Sequence, residues 1–263
     1  MDTAATERRY WRHNHLAGES DRLRLLEAIA DPRTFRLLDH LGVAPGWRCA
    51  ELGAGAGSVA AWLADRVGPS GSVLALDRDT NLLSHLRPRS NVEIRESDLL
   101  LEALPSQAYD LVHTRNLLMH IDAADALLPR LVESLRPGGV LLLEEADGYP
   151  IAGSTSPAFA KVLGPLASRW TWARALPARV AALPVADVGV EIDAELMHGG
   201  TPLAAFWSYT LQTARAALGV GDDAGSAGIT EEDLGEVLAL LEDERFWSPF
   251  MAVVCVWGTR VGR

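Results

Sequence analysis

The chain has 263 residues, 48% of them apolar, and a net charge of −11. That composition supports a full apolar core and excludes general disorder. The acidic balance, with no basic cluster to offset it, excludes non-specific adhesion to a phosphate backbone. Cys49 and Cys255 lie in separate apolar runs and read as buried thiols, and no His/Cys spacing suggests a metal. No apolar run is long enough to span a bilayer and Met1 to His15 is polar, so a cytoplasmic protein without a secretory signal is expected.

In chain order, Tyr10-Trp11-Arg12-His13-Asn14-His15 is aromatic and basic and precedes any periodic pattern. Leu23, Leu26, Ile29 and Ala30 fit one helix face. Asp31-Pro32 reads as a cap with a first-turn proline, opening a second helix through Phe35, Leu38 and Leu41 that Gly42 ends. Arg48 to Leu52 is a short strand ending next to an acid, Glu51. Gly53, Gly55 and Gly57 follow, and Val59 to Val67 has helical spacing.

Strand, glycine turn and helix form a ligand cradle at the carboxyl edge of an α/β sheet, because glycine lets the backbone turn tightly and approach closely. Gly55, Gly57 and Ala60 also satisfy the dinucleotide pattern, with Asp77 where its ribose acid would fall. Glu51, two residues before Gly53, argues for a cationic ligand, since a carboxylate there would repel a pyrophosphate.

Ser72 to Asp77 is a second strand ending in an acid, and Asn81 to Leu86 continues as a helix. Val92 to Arg95 alternates as a third strand before Ser97-Asp98-Leu99. Tyr109 to Arg115 is a fourth strand, followed by Asn116 to Ile121. Asp122, with Asp125, can cap a helix carrying Leu127, Leu131 and Leu135, with Pro129 inside the pattern. Val140 to Glu145 is a continuous apolar run that suits a fifth strand buried on both faces. Pro157 to Leu183 reads as a helical stretch, and Val185 to Asp193 and Phe250 to Gly258 as strands six and seven. Two helices separate these strands. One covers about Leu203 to Leu218; the other starts at Thr230 with Asp233 completing a capping box and buries Leu234, Val237, Leu238 and Leu241. Gly221 to Gly228 links the two.

The strings ELGAGAG, LALD, SDLL, YDLVHTRNLLMHI and LRPGGVLLLEE occur in that order across residues 47–147. The ordered set resembles motifs I to V of class I S-adenosylmethionine-dependent methyltransferases; the dinucleotide pattern explains the first two strings and none of the others. The resemblance implies an α/β fold: a Rossmann-like, seven-stranded, mostly parallel sheet with an antiparallel last strand, helices on both faces and a helical cap. It divides the chain into an N-terminal helical lid (1–43), an S-adenosylmethionine-binding core (44–148) and substrate-cap helices with strands six and seven (149–263).

The resemblance also implies site residues. Glu51 would face the cofactor's ammonium, beside Gly53, Ala54 and Gly55. Asp77 would take the ribose hydroxyls, with Arg78 next to it among the cofactor-binding residues. Asp98 would bind the adenine amino group, and Leu99 would cover the ring. Arg115 would serve the methionine end, reaching its carboxylate, and Thr114 would also be cofactor-binding. Arg115 to His120 is similar to a string of phosphoethanolamine methyltransferases, which makes His120 a candidate base partnered by Tyr10. His113 reads as a satisfied core residue. Glu144, Glu145 and Asp147 gather at a strand end without metal-ligand spacing.

Trp11, His13, Trp170, Trp172 and Trp207 lie in the segments expected to build the acceptor pocket. An aromatic, apolar cap suits a medium-sized, partly hydrophobic small molecule, with no nucleic acid or membrane as partner. The expected reaction is O- or N-methylation in bacterial secondary metabolism, releasing S-adenosylhomocysteine, by a monomer or homodimer. The alternative is a protein of this fold that binds the cofactor and catalyses a non-methylating cyclisation or decarboxylation.

Overall fold

The structure is a computed structural model that describes residues 18–167, 170–215, 218–220 and 228–262. Its elements, in order, are α1 (Glu19–His40), β1 (Arg48–Leu52), α2 (Ser58–Val67), β2 (Ser72–Asp77), β3 (Val92–Glu96), β4 (Tyr109–Arg115), α3 (Ala124–Ser134), β5 (Leu135–Asp147), α4 (Pro157–Ala167), α5 (Leu176–Ala181), β6 (Val185–His198), α6 (Pro202–Ala214), α7 (Glu231–Glu242) and β7 (Trp247–Arg260). Short 3₁₀ turns cover Asn81–Leu86, Leu118–His120, Tyr149–Gly153 and Ala173–Ala175.

The strands form one sheet of seven in the order β3-β2-β1-β4-β5-β7-β6. β7 runs antiparallel to both of its neighbours, while the pairs among β1 to β5 are parallel. The switch in strand order between β1 and β4 opens a crevice at their carboxyl ends, where a ligand site belongs.

Alternation along the strands sends side chains to two faces. On one face α1 and α2 bring Leu37, Leu38, Leu63 and Val67 onto Cys49, Val73, Leu111 and Leu142. On the other, α3 and α5 bring Leu127, Leu131, Leu176 and Val180 onto Leu52, Val112, Leu143 and Val254. A third core, around Phe159, Trp207, Leu211, Val237 and Phe250, joins α4, α6 and α7 to the end of the sheet. α6 also packs on α1. No helix among the described residues is long and apolar enough to cross a membrane.

Several local expectations change. The two helices expected on either side of Asp31-Pro32 are one helix, α1, with Pro32 inside it. The reason is tertiary: the Asp31 carboxylate accepts hydrogen bonds from Ser58 Oγ and Arg115 rather than capping a new helix. α3 begins at Ala124 with Ala123 as its N-cap and no side-chain cap, so the Asp122–Asp125 box does not form. Asp125 instead accepts from Trp172 and Arg179. The 157–183 stretch breaks into α4, a 3₁₀ turn and α5. The Thr230–Asp233 capping box is present at the start of α7.

Candidate functional site

The glycine turn after β1 has Gly53, Gly55 and Gly57 at φ of 74°, 57° and 96°. A Cβ on Gly53 would meet Leu117 at 3.0 Å and one on Gly57 would meet Leu83 at 2.9 Å, while at Gly55 it would meet nothing within 4 Å. The outer glycines are therefore required by packing, and the middle one leaves the approach to the loop clear. Ala54 is buried.

Asp77 at the end of β2 accepts from Gly55 N–H at 2.9 Å and Asp79 N–H at 3.1 Å. Burial pushes its carboxyl up, against the opposing pull of these N–H groups. Asp98, past β3, accepts from Leu100 N–H at 2.8 Å, and Arg78 Nε stands 3.7 Å from its other oxygen. Leu99 is buried in the core on the α3 face. Thr114 is fully buried on β4.

The fit of these groups to a ligand follows from their charge. Glu51, Asp77 and Asp98 suit hydroxyls, an amine and positive charge, and they oppose a pyrophosphate. The α2 N-terminus points the same way. Ser58 N–H, which would serve a phosphate in a dinucleotide site, donates to Glu27 Oε1 at 2.9 Å. Gly55 keeps open space for a ligand to approach.

Beneath this edge lies a buried charged ladder on the α1 face. His113 Nδ1 is 2.5 Å from Glu51 Oε2, and its Nε2 is 3.0 Å from Glu144 Oε1. Arg33 of α1 donates to Glu144 Oε2 at 3.3 Å, and to Asp193 and Glu195 of β6. Cys255 of β7 donates to Glu144 across the strand pair, at 3.6 Å. Burial alone would lower the His113 pKa, but Glu51 and Glu144 outweigh it and raise it to about 9. Burial would likewise raise Glu144; His113, Arg33 and Arg115 prevail and hold it at about 2.

Arg115, expected to reach a ligand carboxylate, stands against α1. Its Nη1 donates to Asp31 Oδ1 and Thr34 Oγ1, both at 2.9 Å. Glu51, expected to face the cofactor's ammonium, is 2% exposed and tied to His113. Both differences arise from partners far away in sequence on α1 and β4. His113 is the core residue expected, but a charged one.

On the other face Glu145 builds the turn that carries His120. Asn116, at φ 51°, turns the chain sharply after β4, a conformation asparagine tolerates. The carboxylate of Glu145 then accepts from the N–H groups of Leu117 at 3.2 Å, Leu118 at 2.9 Å and Met119 at 3.1 Å. Burial outweighs these bonds and pushes Glu145 up to about 7. His120 ends the 3₁₀ turn and is exposed. Leu117 and Leu118 are buried in the core below. Asp147, the third acid of that strand end, pairs with Arg174 and accepts from Tyr149 N–H. Among the described residues no group of three or more His, Cys, Asp or Glu side chains is disposed to hold a metal ion.

The aromatic residues divide. Trp207 is 3% exposed and packs edge-on against Trp170 and Phe250 in the third core. Its indole nitrogen is buried without a hydrogen-bond partner among the described residues. Trp172 sits at the α3–α5 rim, donating to Asp125 at 2.9 Å with Arg179 over its ring. Tyr10, Trp11 and His13 lie outside the described residues. No sequence pattern singles out Glu27 or Arg33; Asp31 reads as a helix cap, and Glu145 only as one of three acids at a strand end.

Residues 50–139 match a family model described as a methyltransferase domain. Methyltransferase str3 of Strobilurus tenacellus is 34% identical over 98 residues, 37% of this chain and 34% of that protein. Trans-aconitate 2-methyltransferase of Variovorax paradoxus is 32% identical over 114 residues, 42% of this chain and 43% of that protein. The chain thus spans less than half the length of these curated relatives. Among solved structures, Haemonchus contortus phosphoethanolamine N-methyltransferase 2, with phosphomonomethylethanolamine and S-adenosylhomocysteine, aligns with a TM-score of 0.62 at 16% identity. The alignment covers 97% of this chain and 60% of that one. Residues 50–139 thus carry a methyltransferase domain, and the glycine turn, the strand-end acids and the strand order already described are similar to those of class I S-adenosylmethionine-dependent methyltransferases.

Proposed function

We propose that this chain binds S-adenosylmethionine at the carboxyl edge of β1 to β4 and transfers its methyl group to a medium-sized, partly hydrophobic small molecule. The observation that carries the reading is the anionic set Glu51, Asp77 and Asp98 around a glycine turn whose helix N–H is already taken by Glu27. In this reading Asp77 and Arg78 hold the ribose, Asp98 and Leu99 the adenine, and Glu51 with Gly53, Ala54, Gly55, Thr114 and Arg115 line the methionine end. The bound cofactor supplies an electrophilic methyl on a sulfonium. The protein's part is alignment of the acceptor with that methyl, which can supply much of the rate. His120 removes the proton from a hydroxyl or ammonium acceptor, with Tyr10 as its partner. The α4–α6–α7 cap encloses the acceptor, and the protein works in the cytoplasm. Acceptors named for the relatives, phosphoethanolamine and trans-aconitate, are small polar molecules; the larger, less polar acceptor proposed for this chain rests on the aromatic content of the cap segments.

Calorimetry with S-adenosylhomocysteine and turnover with the acceptor, measured on two variants, test this reading. Asp77→Ala is expected to lose affinity by about 10-fold or more, because it removes charge-assisted hydrogen bonds. His120→Ala is expected to keep that affinity and lose roughly 10²–10⁴ in turnover. A wild-type chain that binds no S-adenosylhomocysteine sinks the proposal; an unchanged rate in the His120 variant removes the base.

A further inference from the structure

His113 is a buried titratable group that the proposed reaction does not use. Both of its ring nitrogens face carboxylate oxygens, Glu51 at 2.5 Å and Glu144 at 3.0 Å. An ionised carboxylate only accepts hydrogen bonds, so two such partners require both nitrogens to donate. A neutral imidazole would turn a lone pair toward one of two buried acids. His113 and Glu144 are fully buried and Glu51 nearly so, which leaves no water to make up a missing donor. Beyond Glu144 the row ends on a permanent cation, Arg33, itself 7% exposed. The row therefore alternates in sign from β1 to α1: Glu51, His113, Glu144, Arg33.

We propose that His113 is a positioning residue for the cofactor site. As a doubly donating imidazolium, it fixes the direction of the Glu51 carboxylate, and it links that carboxylate through Glu144 and Arg33 to α1. The role at the ligand rests on the proposed binding of S-adenosylmethionine beside Glu51. Without the His113 donor nothing on β4 holds that carboxylate, and once it turns away it no longer meets the cofactor's ammonium. With Oε2 held by His113, the carboxylate's rotation is set before the ligand arrives, so less ordering is left for the binding step.

Two measurements test this. Nitrogen-15 correlation spectra of the wild-type chain at neutral pH are expected to show one imidazole with both nitrogens protonated and protected from solvent, a signal absent from His113→Gln. A neutral His113 ring would overturn the proposal, and this readout needs neither a variant that folds well nor a bound ligand. Calorimetry with S-adenosylhomocysteine then follows a cycle of His113→Gln, Glu51→Gln and the double variant. His113→Gln is expected to weaken binding about 10- to 100-fold, and to add little once Glu51 is already Gln. Losses that multiply, or a His113 variant that melts earlier while binding normally, would overturn the positioning role. No binding by the wild-type chain would strike the proposed function, and the imidazole spectrum would still decide the clamp.

Discussion

Glu144 and Glu145 are neighbours on β5, of the same type and both without solvent exposure, yet they behave oppositely. Strand alternation sends Glu144 to the α1 face and Glu145 to the α3 face. Glu144 meets His113 and Arg33 and is held at about 2. Glu145 meets three backbone N–H groups among apolar side chains and is pushed up to about 7. Burial costs a charge the same on either face; what differs is whether a full opposite charge or only amide dipoles stand across from it. The α1 face thereby locks a helix to the ligand edge with ions. The α3 face shapes the His120 turn with dipoles and leaves its acid able to titrate near neutrality.

The largest break in that comparison is Glu144→Ala. It removes the carboxylate that His113 and Arg33 share, leaving His113 only Glu51 and Arg33 only Asp193 and Glu195, and losing one member of such a buried set costs about 3–5 kcal/mol. Urea denaturation at neutral pH measures it. A loss below about 1 kcal/mol would mean that the ladder is solvated and the two faces do not differ as described.

The second test separates the neighbours by pH. Glu144 has a lowered pKa, so its contribution is present above its unfolded value of 4.5 and is lost as pH falls toward about 2. Glu145 has a raised pKa, so its folded state favours the proton. That contribution is present below 4.5 and is lost as pH rises through about 7. His113 is raised as well, and its contribution is lost as pH climbs through about 9. In Glu145→Gln the decline between pH 4.5 and about 7, on the order of 2–3 kcal/mol in the wild type, should flatten. The acid limb set by Glu144 should stay. Unfolding curves across that pH range check both, and identical wild-type and variant slopes would remove the assignment of Glu145.

What could be read in advance follows from how local each signal is. The glycine turn, the strand-end acids, the two cysteines in strands and the Thr230–Asp233 box are fixed by spacings of a few residues, and each is found in place. The ladder is not local. His113 lies 62 residues from Glu51 and 31 from Glu144, and Arg33 lies 111 from Glu144, so no periodicity joins them. Asp31-Pro32 carried a real local signal that the fold overrode, because Asp31 has better partners in Arg115 and Ser58 than in a cap of its own. Trp207 was assigned by composition to the ligand's surroundings and is a core residue instead.

The smallest expected effect comes from a cation on the α3 side that resembles Arg33 only on paper. Arg179 donates to Asp125 at 2.6 Å and to the Trp172 carbonyl at 2.9 Å, and its guanidinium lies 4.9 Å from the Trp172 ring centre. By contact inventory it is as well held as Arg33. Its side chain is nevertheless 28% exposed and Asp125 is 66% exposed, against 7% and 0% for Arg33 and Glu144. Water therefore competes for both partners, and the attraction is weakened by the surrounding dielectric. Arg179→Met, which keeps much of the stem against Trp172, should cost no more than about 1 kcal/mol. That loss should shrink in high salt, because exposed charges are screened over distances of about 10 Å or less. The deficit of Glu144→Ala should persist in the same salt, because its partners are out of reach of ions. Urea midpoints for the two variants, each with and without added salt, place them on one scale. Equal salt sensitivity would show that exposure does not separate these pairs, and the contrast between the two faces would then rest on the pH curves alone.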